Sequence, residues 1–270
     1  MSAAVLTATG LVCKAFLKLG ARRVTLHGLP GLLSILNSNE TGLLTVANHI
    51  SVVDEPVVWG ALPWRMYTRP SHMRWTLGAA DICFTSRFRR AYFSAGQVLE
   101  TFRGNERAGI YQPSMDVAIQ KLREGRWCHI FPEGRVTQGE DKLRRFRWGV
   151  SRLLLETADI DVQVVPIWLQ GFDQIMPETR GWPRFLPRLG AEIDVVFGEP
   201  ITHRVRPLLD RYAASSAGLT TTISPPPDYV GEPDVLRQAR IEIAALLRDE
   251  VAALGRRVQA KGPGAALAGR

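Results

Sequence analysis

The sequence predicts a single α/β domain, with a largely parallel mixed sheet flanked by helices, an interfacial N-terminal helix and an amphipathic C-terminal helix. Three observations predict it. Short apolar runs of strand length alternate with segments of helical periodicity, as expected where helical crossovers join parallel strands. The chain of 270 residues is 46% hydrophobic and 22% charged, enough to bury one sizeable core. Several runs end in Pro or Gly, marking loops beyond strand ends, where sites gather in such sheets.

Residues 1–28 are apolar, carry Lys14, Lys18, Arg22 and Arg23, and precede the first acidic residue, Glu40. They are taken as one unit: an interfacial helix with snorkelling lysines, or a targeting peptide, with plain core packing as the competing role. No run reaches the roughly 18 consecutive apolar residues of a spanning helix, so the chain is not expected to span a bilayer by itself. The α/β domain covers residues 29–206. In it, residues 43–47 read as a buried strand, and residues 56–62 as a helix with Pro56 in its first turn. Residues 115–125 have helical spacing and a terminal glycine, followed by the strand pattern WCHIF running into Pro132. Residues 146–158 read as a helix, 162–169 as a buried strand, and 192–201 as a last strand closed by Gly-Glu-Pro.

The Ser, Thr, Pro and Gly content of residues 207–233 predicts an exposed connector. Residues 234–260 place Leu236, Ile243, Leu247 and Leu254 near one face of an amphipathic helix expected to dock onto its own domain, with a membrane or partner helix as the competing role. Residues 261–270 read as a disordered tail.

A formal charge of +8 predicts attraction to polyanions: anionic lipid, nucleic acid or a phosphorylated substrate. Cys13, Cys83 and Cys128 are scattered and odd in number, which suggests neither a disulfide framework nor a zinc site. Neither a metal-ligand cluster nor a cofactor motif is evident. His27, His72, His129 and His203 lack a paired carboxylate at a telling spacing, and Trp59, Trp75, Trp127 and Trp148 read as packing residues.

The candidate chemistry begins at HISVVD, His49 to Asp54. On a continuous helix the two would stand about 140° apart, so they meet only if a turn lies between them. A strand-to-helix loop supplies one, with Ser51 or Asp54 capping the helix. Asp54 would then fix the imidazole tautomer while the other nitrogen takes a proton from a substrate hydroxyl. Taken alone, this spacing favours the cap. The loop HIFPEGRV shifts the balance: Gly134 permits close approach, Glu133 can orient a cation or hydroxyl, and Arg135 adds a fixed charge. Arg103, in GQVLETFRG, is a further phosphate-sized anchor. A protein nucleophile is not advertised, since G-x-S-x-G does not occur.

In order and separation, HISVVD, GQVLETFRG, FPEGRV and VPIWLQG resemble the blocks of the glycerolipid acyltransferase family. ANHISVVDEPVVWG, RWTLGAADICFTS, WCHIFPEGRV and FRWGVSRLL look like its tafazzin branch, and the resemblance covers residues 22–200. It implies a CoA-independent phospholipid–lysophospholipid transacylase that remodels cardiolipin on mitochondrial membranes as a peripheral or monotopic protein, with His49 and Asp54 catalytic. Phospholipid and lysophospholipid substrates (cardiolipin, monolysocardiolipin) would be positioned by Arg103, Glu133, Gly134 and Arg135. Two departures concern the substrate groups. Arg135 stands where most of the broad family has Thr, a basic residue there being tafazzin-like, and Gly96 and Arg103 lie one residue further apart than in the generic block, with Glu100 where tafazzins often have Pro.

Phe84 and Phe88, among Arg87, Arg89 and Arg90, and Trp182 and Phe185, among Pro and Arg, are the expected contacts to an anionic membrane surface. The first pattern also suits single-stranded nucleic acid. With no recognised binding motif beside it, nucleic acid is not an expected partner. Oligomer formation stays open. An acyl-CoA-dependent lysophospholipid acyltransferase and a catalytically silent lipid binder are the competing functions.

Overall fold

The computed structural model describes residues 1–38, 40–103, 109–139, 143–216 and 234–261. Helix α1 (Ser2–Leu19) leads into strand β1 (Arg23–His27), helix α2 (Leu29–Ser38) and strand β2 (Gly42–Ala47). Short helices α3 (Asp54–Val58) and α4 (Trp64–Tyr67) precede β3 (Trp75–Ala79), α5 (Ala80–Cys83), α6 (Arg87–Ala95) and β4 (Val98–Thr101). Then come α7 (Pro113–Arg123), β5 (Trp127–Ile130), α8 (Gly149–Leu155), β6 (Val162–Gln170), α9 (Phe172–Ile175), β7 (Glu192–Phe197), α10 (Thr202–Ser216) and α11 (Asp234–Lys261).

The seven strands form one sheet in the order β1-β7-β6-β2-β5-β3-β4. Every neighbouring pair is parallel except β6 with β7, so β1 and β7 run against the other five. All six residues of β2 are buried, as a central strand covered on both faces requires. Alternation divides the core. Leu43, Ala47, Val165 and Ile167 face one side with α1, α2 and α3; Leu44, Val46, Val162 and Val164 face the other with α7, α8, α10 and α11. The result is helix, sheet and helix in three layers.

The predicted N-terminal unit is corrected in two ways. Its helix ends at Leu19, and Arg23–His27 is the edge strand of the sheet, paired in parallel with β7. Over its 18 residues α1 has a mean hydropathy of 1.4 and is long and apolar enough to cross a membrane, by length and composition only. It also docks, burying Leu6, Gly10, Cys13 and Leu17. Two glycines allow the approach: a Cβ on Gly10 would lie 2.5 Å from the Tyr67 ring, and one on Gly60 2.7 Å from the Cys13 carbonyl carbon.

The predicted connector is corrected at its start, because residues 207–216 continue α10, with Pro207 inside the helix. The rest of that connector, residues 217–233, and most of the predicted tail, 262–270, lie outside the described residues. The C-terminal helix packs as expected, with Ile243, Leu247, Val251 and Leu254 buried.

Candidate active site

Strands β2, β5, β3 and β4 point their carboxyl ends the same way, and the loops beyond them build the site. Beyond β2, the Asn48 side chain extends the ladder to β6: its Nδ2 donates to the Leu169 carbonyl (2.9 Å) and its Oδ1 accepts from the Leu169 N–H (2.7 Å). The chain then winds round one carboxylate oxygen. Asp54 Oδ2 accepts from the Ile50 N–H (2.6 Å), the Ser51 N–H (2.8 Å) and His49 Nδ1 (2.9 Å). The five-residue spacing is thus the arc of a turn, which removes the objection from helical geometry.

The predicted side-chain cap is absent. Val53 takes the N-cap position without a side-chain bond, and the Asp54 carboxylate reaches back to Ser51, half of a capping box. Asp54 is fully buried, and burial pushes its carboxyl above the ordinary range against the lowering effect of the His49, Ser51 and Ile50 bonds. With Nδ1–H donated to Asp54, His49 Nε2 carries the lone pair on a ring whose side chain is 20% exposed.

The loop after β5 clamps this turn. Registers Val46–Ile130 and Thr45–His129 bring the two strand ends side by side. The Phe131 ring stacks on His49 at a centroid distance of 4.3 Å. Glu133 Oε1 accepts the His49 N–H (2.8 Å), and the Thr137 N–H donates to the His49 carbonyl (2.8 Å). Glu133 is therefore corrected from a substrate contact to a positioning group: its carboxylate is buried and holds backbone N–H groups of His49 and Arg144.

A cavity of about 720 Å³ opens in front of these loops. Its lining includes His49, Gly134 and Arg135, with Arg103 from the loop after β4 and apolar groups such as Leu6 and Ile82. Arg103 is ion-paired with exposed Asp81, whose carboxyl it holds below the ordinary range. Glu100 pairs with Arg90, 2.9 Å from Nη2 to Oε1, and lies outside the cavity lining.

Sequence reasoning missed Arg74, Glu55, Arg145 and Arg147, all of which line the cavity. The Arg74 guanidinium grips both oxygens of Glu55, 2.7 Å at the Nη2 bond, and Nη1 donates to the Gly96 carbonyl at 3.0 Å. Arg145 and Arg147 flank buried Phe146 before α8 begins at Gly149, and that alternation was the available signal that residues 145–147 precede the helix rather than belong to it.

Of the expected membrane contacts, Phe88, Trp182 and Phe185 are exposed at 79%, 88% and 72%. Phe84 is corrected: it is 6% exposed, with the Phe93 ring 6.2 Å away and the Arg90 guanidinium over its face. The loop carrying Trp182 and Phe185 returns beside the end of α1, where the Gly190 N–H donates to the Gly20 carbonyl.

His129 is a buried base under the site. Its Nδ1 lies 2.8 Å from Thr45 Oγ1, which also accepts from Trp127 Nε1, and the Trp59 and Phe131 rings meet it edge-on. Burial first, then the charges of Arg74 and His49, hold its imidazole well below the ordinary 6.5. Below pH 6.5 the unfolded chain takes a proton there that the folded chain refuses, so His129 makes stability fall as pH falls, by up to about 1.4 kcal/mol per unit. Asp54, whose folded carboxyl is raised, has the opposite slope above 3.8. The thermal midpoint is therefore expected to drop less between pH 7.5 and 5.5 in His129→Gln than in the parent; equal drops would exclude His129 as a source.

An imidazole hydrogen-bonded to a buried carboxylate faces an arginine-bearing and partly apolar cavity, an arrangement that can take a proton from a hydroxyl beside an anionic, lipid-like group. The acyltransferase family model matches residues 24–170, from β1 to the last residue of β6, and both clamped loops lie inside it. Fold and site together define an acyltransferase. The chain belongs to the acyltransferase family, as a homologue of the tafazzins.

It is 38% identical to the Dictyostelium discoideum taffazin over 74% of this chain and 70% of that protein. It is 33% identical to tafazzin of Saccharomyces cerevisiae, over 81% of this chain and 67% of the relative. It is also similar to an N-acylphosphatidylethanolamine synthase of Arabidopsis thaliana, at 34% identity over 80% of this chain and 76% of the other. Among solved structures, the 1-acyl-sn-glycerophosphate acyltransferase of Thermotoga maritima shares the fold, with a TM-score of 0.53 at 16% identity over 95% of this chain and 80% of that one.

Proposed function

We propose that the protein is a CoA-independent phospholipid–lysophospholipid transacylase that remodels cardiolipin acyl chains. The observation that carries this reading is the His49–Asp54 contact of 2.9 Å at a cavity holding both arginines and apolar side chains. His49 Nε2 takes the proton of the lysophospholipid hydroxyl as its oxygen attacks the donor's ester carbonyl. The tetrahedral intermediate collapses, the C–O bond to the donor's glycerol breaks, and the imidazolium returns its proton to that departing oxygen. Asp54 stabilises the imidazolium and holds the ring. Arg103 and Arg135 attract the phosphate, Gly134 lets the chain turn close to it, and Glu133 keeps the His49 backbone in place.

The cavity's apolar wall accommodates an acyl chain. Exposed Leu11, Val12 and Leu19 on α1, with Trp182, Phe185 and Leu189 opposite its end, suit a peripheral or monotopic seat on an anionic membrane. The mitochondrial location and cardiolipin rest on the tafazzin relationship.

A second reading has its own observation. The similarity to an N-acylphosphatidylethanolamine synthase makes an amine acceptor a natural alternative, since the same base can take the ammonium's proton. One experiment separates these. Purified protein is mixed with liposomes of phospholipid carrying a labelled acyl chain, lysocardiolipin and phosphatidylethanolamine, with and without acyl-CoA, and the liposomes are sedimented to score binding. Label in cardiolipin without CoA is the expected outcome. Label on the ethanolamine nitrogen would favour the second reading. Incorporation of acyl groups only after acyl-CoA is added would make that the donor, and binding with no transfer would overturn both readings.

A further inference from the structure

Two guanidinium groups of the cavity, those of Arg145 and Arg147, have no task in the acyl transfer described above, and of these Arg145 lies over the Trp148 ring. Arg147 is exposed, lines the cavity and has no carboxylate partner among the described residues. It is nonetheless firmly placed. The Arg147 N–H donates to the Pro132 carbonyl (2.8 Å) and the Arg144 N–H to Glu133 Oε2 (3.4 Å), so the segment is laced to the same turn that clamps His49. Phe146, 1% exposed, anchors it from the other side. The side chain then lies across Gly134: a Cβ there would come 2.5 Å from Arg147 Nε and 2.7 Å from Cδ. Gly134, at φ +73°, is thus both turn and bed for the guanidinium.

We infer that Arg147 holds the substrate's headgroup phosphate and selects acceptors whose phosphate charge is not balanced by a cation of their own. This deepens the acyl-transfer reading of the cavity and rests on it. Charge supports selection. Arg135, Arg145 and Arg147 line the cavity with no ion pair among the described residues, whereas the only carboxylate among the described lining residues, Glu55, is taken by Arg74. A phosphate gains a bidentate partner there, and a choline group brings like charge against like. The neighbours differ in freedom: Arg103 is paired with Asp81, and Arg145 lies over the Trp148 ring at 5.8 Å.

The test compares the full chain with Arg147→Ala and Arg147→Lys, and with Arg257→Ala on the exposed side of α11 as a control for net charge. Binding of ether-linked lysophosphatidylglycerol and lysophosphatidylcholine, which lack an ester to react, is measured in uncharged detergent micelles. Acyl-transfer kinetics are measured with lysophosphatidylglycerol as acceptor. Arg147→Ala is expected to weaken lysophosphatidylglycerol binding by about tenfold to a hundredfold, with little change for the choline lipid. The acceptor KM should rise in step while kcat stays within about threefold, and Lys should restore part of the loss.

Gly134→Ala, which displaces Arg147, should copy the binding defect. A folded Arg147→Ala variant that binds both lipids like the parent overturns the proposal, as does a fall in kcat at unchanged KM. Arg147-dependent binding by a parent that transfers no acyl group would uphold the phosphate site and overturn the transferase reading.

Discussion

His49→Ala is expected to lower acyl transfer by a factor on the order of 10² to 10⁴, the usual worth of a positioned general base, while leaving the fold intact. The fold should survive because the imidazole is at the surface of the site rather than within its scaffold. The turn is held by backbone groups: the Ile50 and Ser51 N–H bonds to Asp54, the His49 N–H bond to Glu133 and the Thr137 N–H bond to the His49 carbonyl all persist in the variant. What disappears is the ring stacked on Phe131 and the lone pair on Nε2.

Asp54→Asn should approach the same loss by a different route. An amide oxygen can still accept the two backbone N–H groups, but it carries no charge to stabilise an imidazolium. Initial rates on labelled phospholipid, read beside circular dichroism, check both variants. Near-parental turnover in folded His49→Ala would remove His49 as the base.

Arg74→Ala should have the largest effect on stability, a loss of about 3–5 kcal/mol, the usual cost of leaving a buried charge without its partner. Arg74 is 6% exposed, and its guanidinium ties Glu55 on α3 to the Gly96 carbonyl at the turn into β4. Glu55 also accepts the Trp59 indole N–H at 3.0 Å, and Trp59 lies edge-on to His129 beneath the catalytic loops. Cutting the arginine therefore leaves a carboxylate stranded in the cavity wall and loosens the floor under His49. Replacing both partners together, as Glu55→Gln with Arg74→Met, should cost less than Arg74→Ala alone, because no charge is left unpaired. Urea unfolding of the three proteins decides it. A double variant as unstable as the single one would show that packing, not charge, governs the site.

Legibility in the sequence followed the range of the interactions involved. Strands β2, β5, β6 and β7 were readable because buried central strands are continuous apolar runs. Strands β1, β3 and β4 were missed because they lie toward the sheet's edges and are only partly buried, so their apolar signal is diluted. The register of the sheet was also invisible, since pairing β2 with β5 joins residues more than eighty positions apart.

For the site, the sequence by itself determined the chemical inventory: a histidine and an aspartate on one strand-to-helix loop, a Pro-Glu-Gly turn with a following arginine, and a chain of the acyltransferase family. Those are local facts, set by residue type, turn propensity and short spacing. Only the tertiary structure decided what each group does. It turned Glu133 inward as a backbone clamp, buried Phe84, docked α1 along the cavity, and brought Arg74 to it from one segment and Arg145 and Arg147 from another. The physical reason is that a side chain's task depends on which backbone N–H groups, rings and charges surround it. Those neighbours come from strands and loops distant in sequence, brought together by burial of the two faces of one sheet.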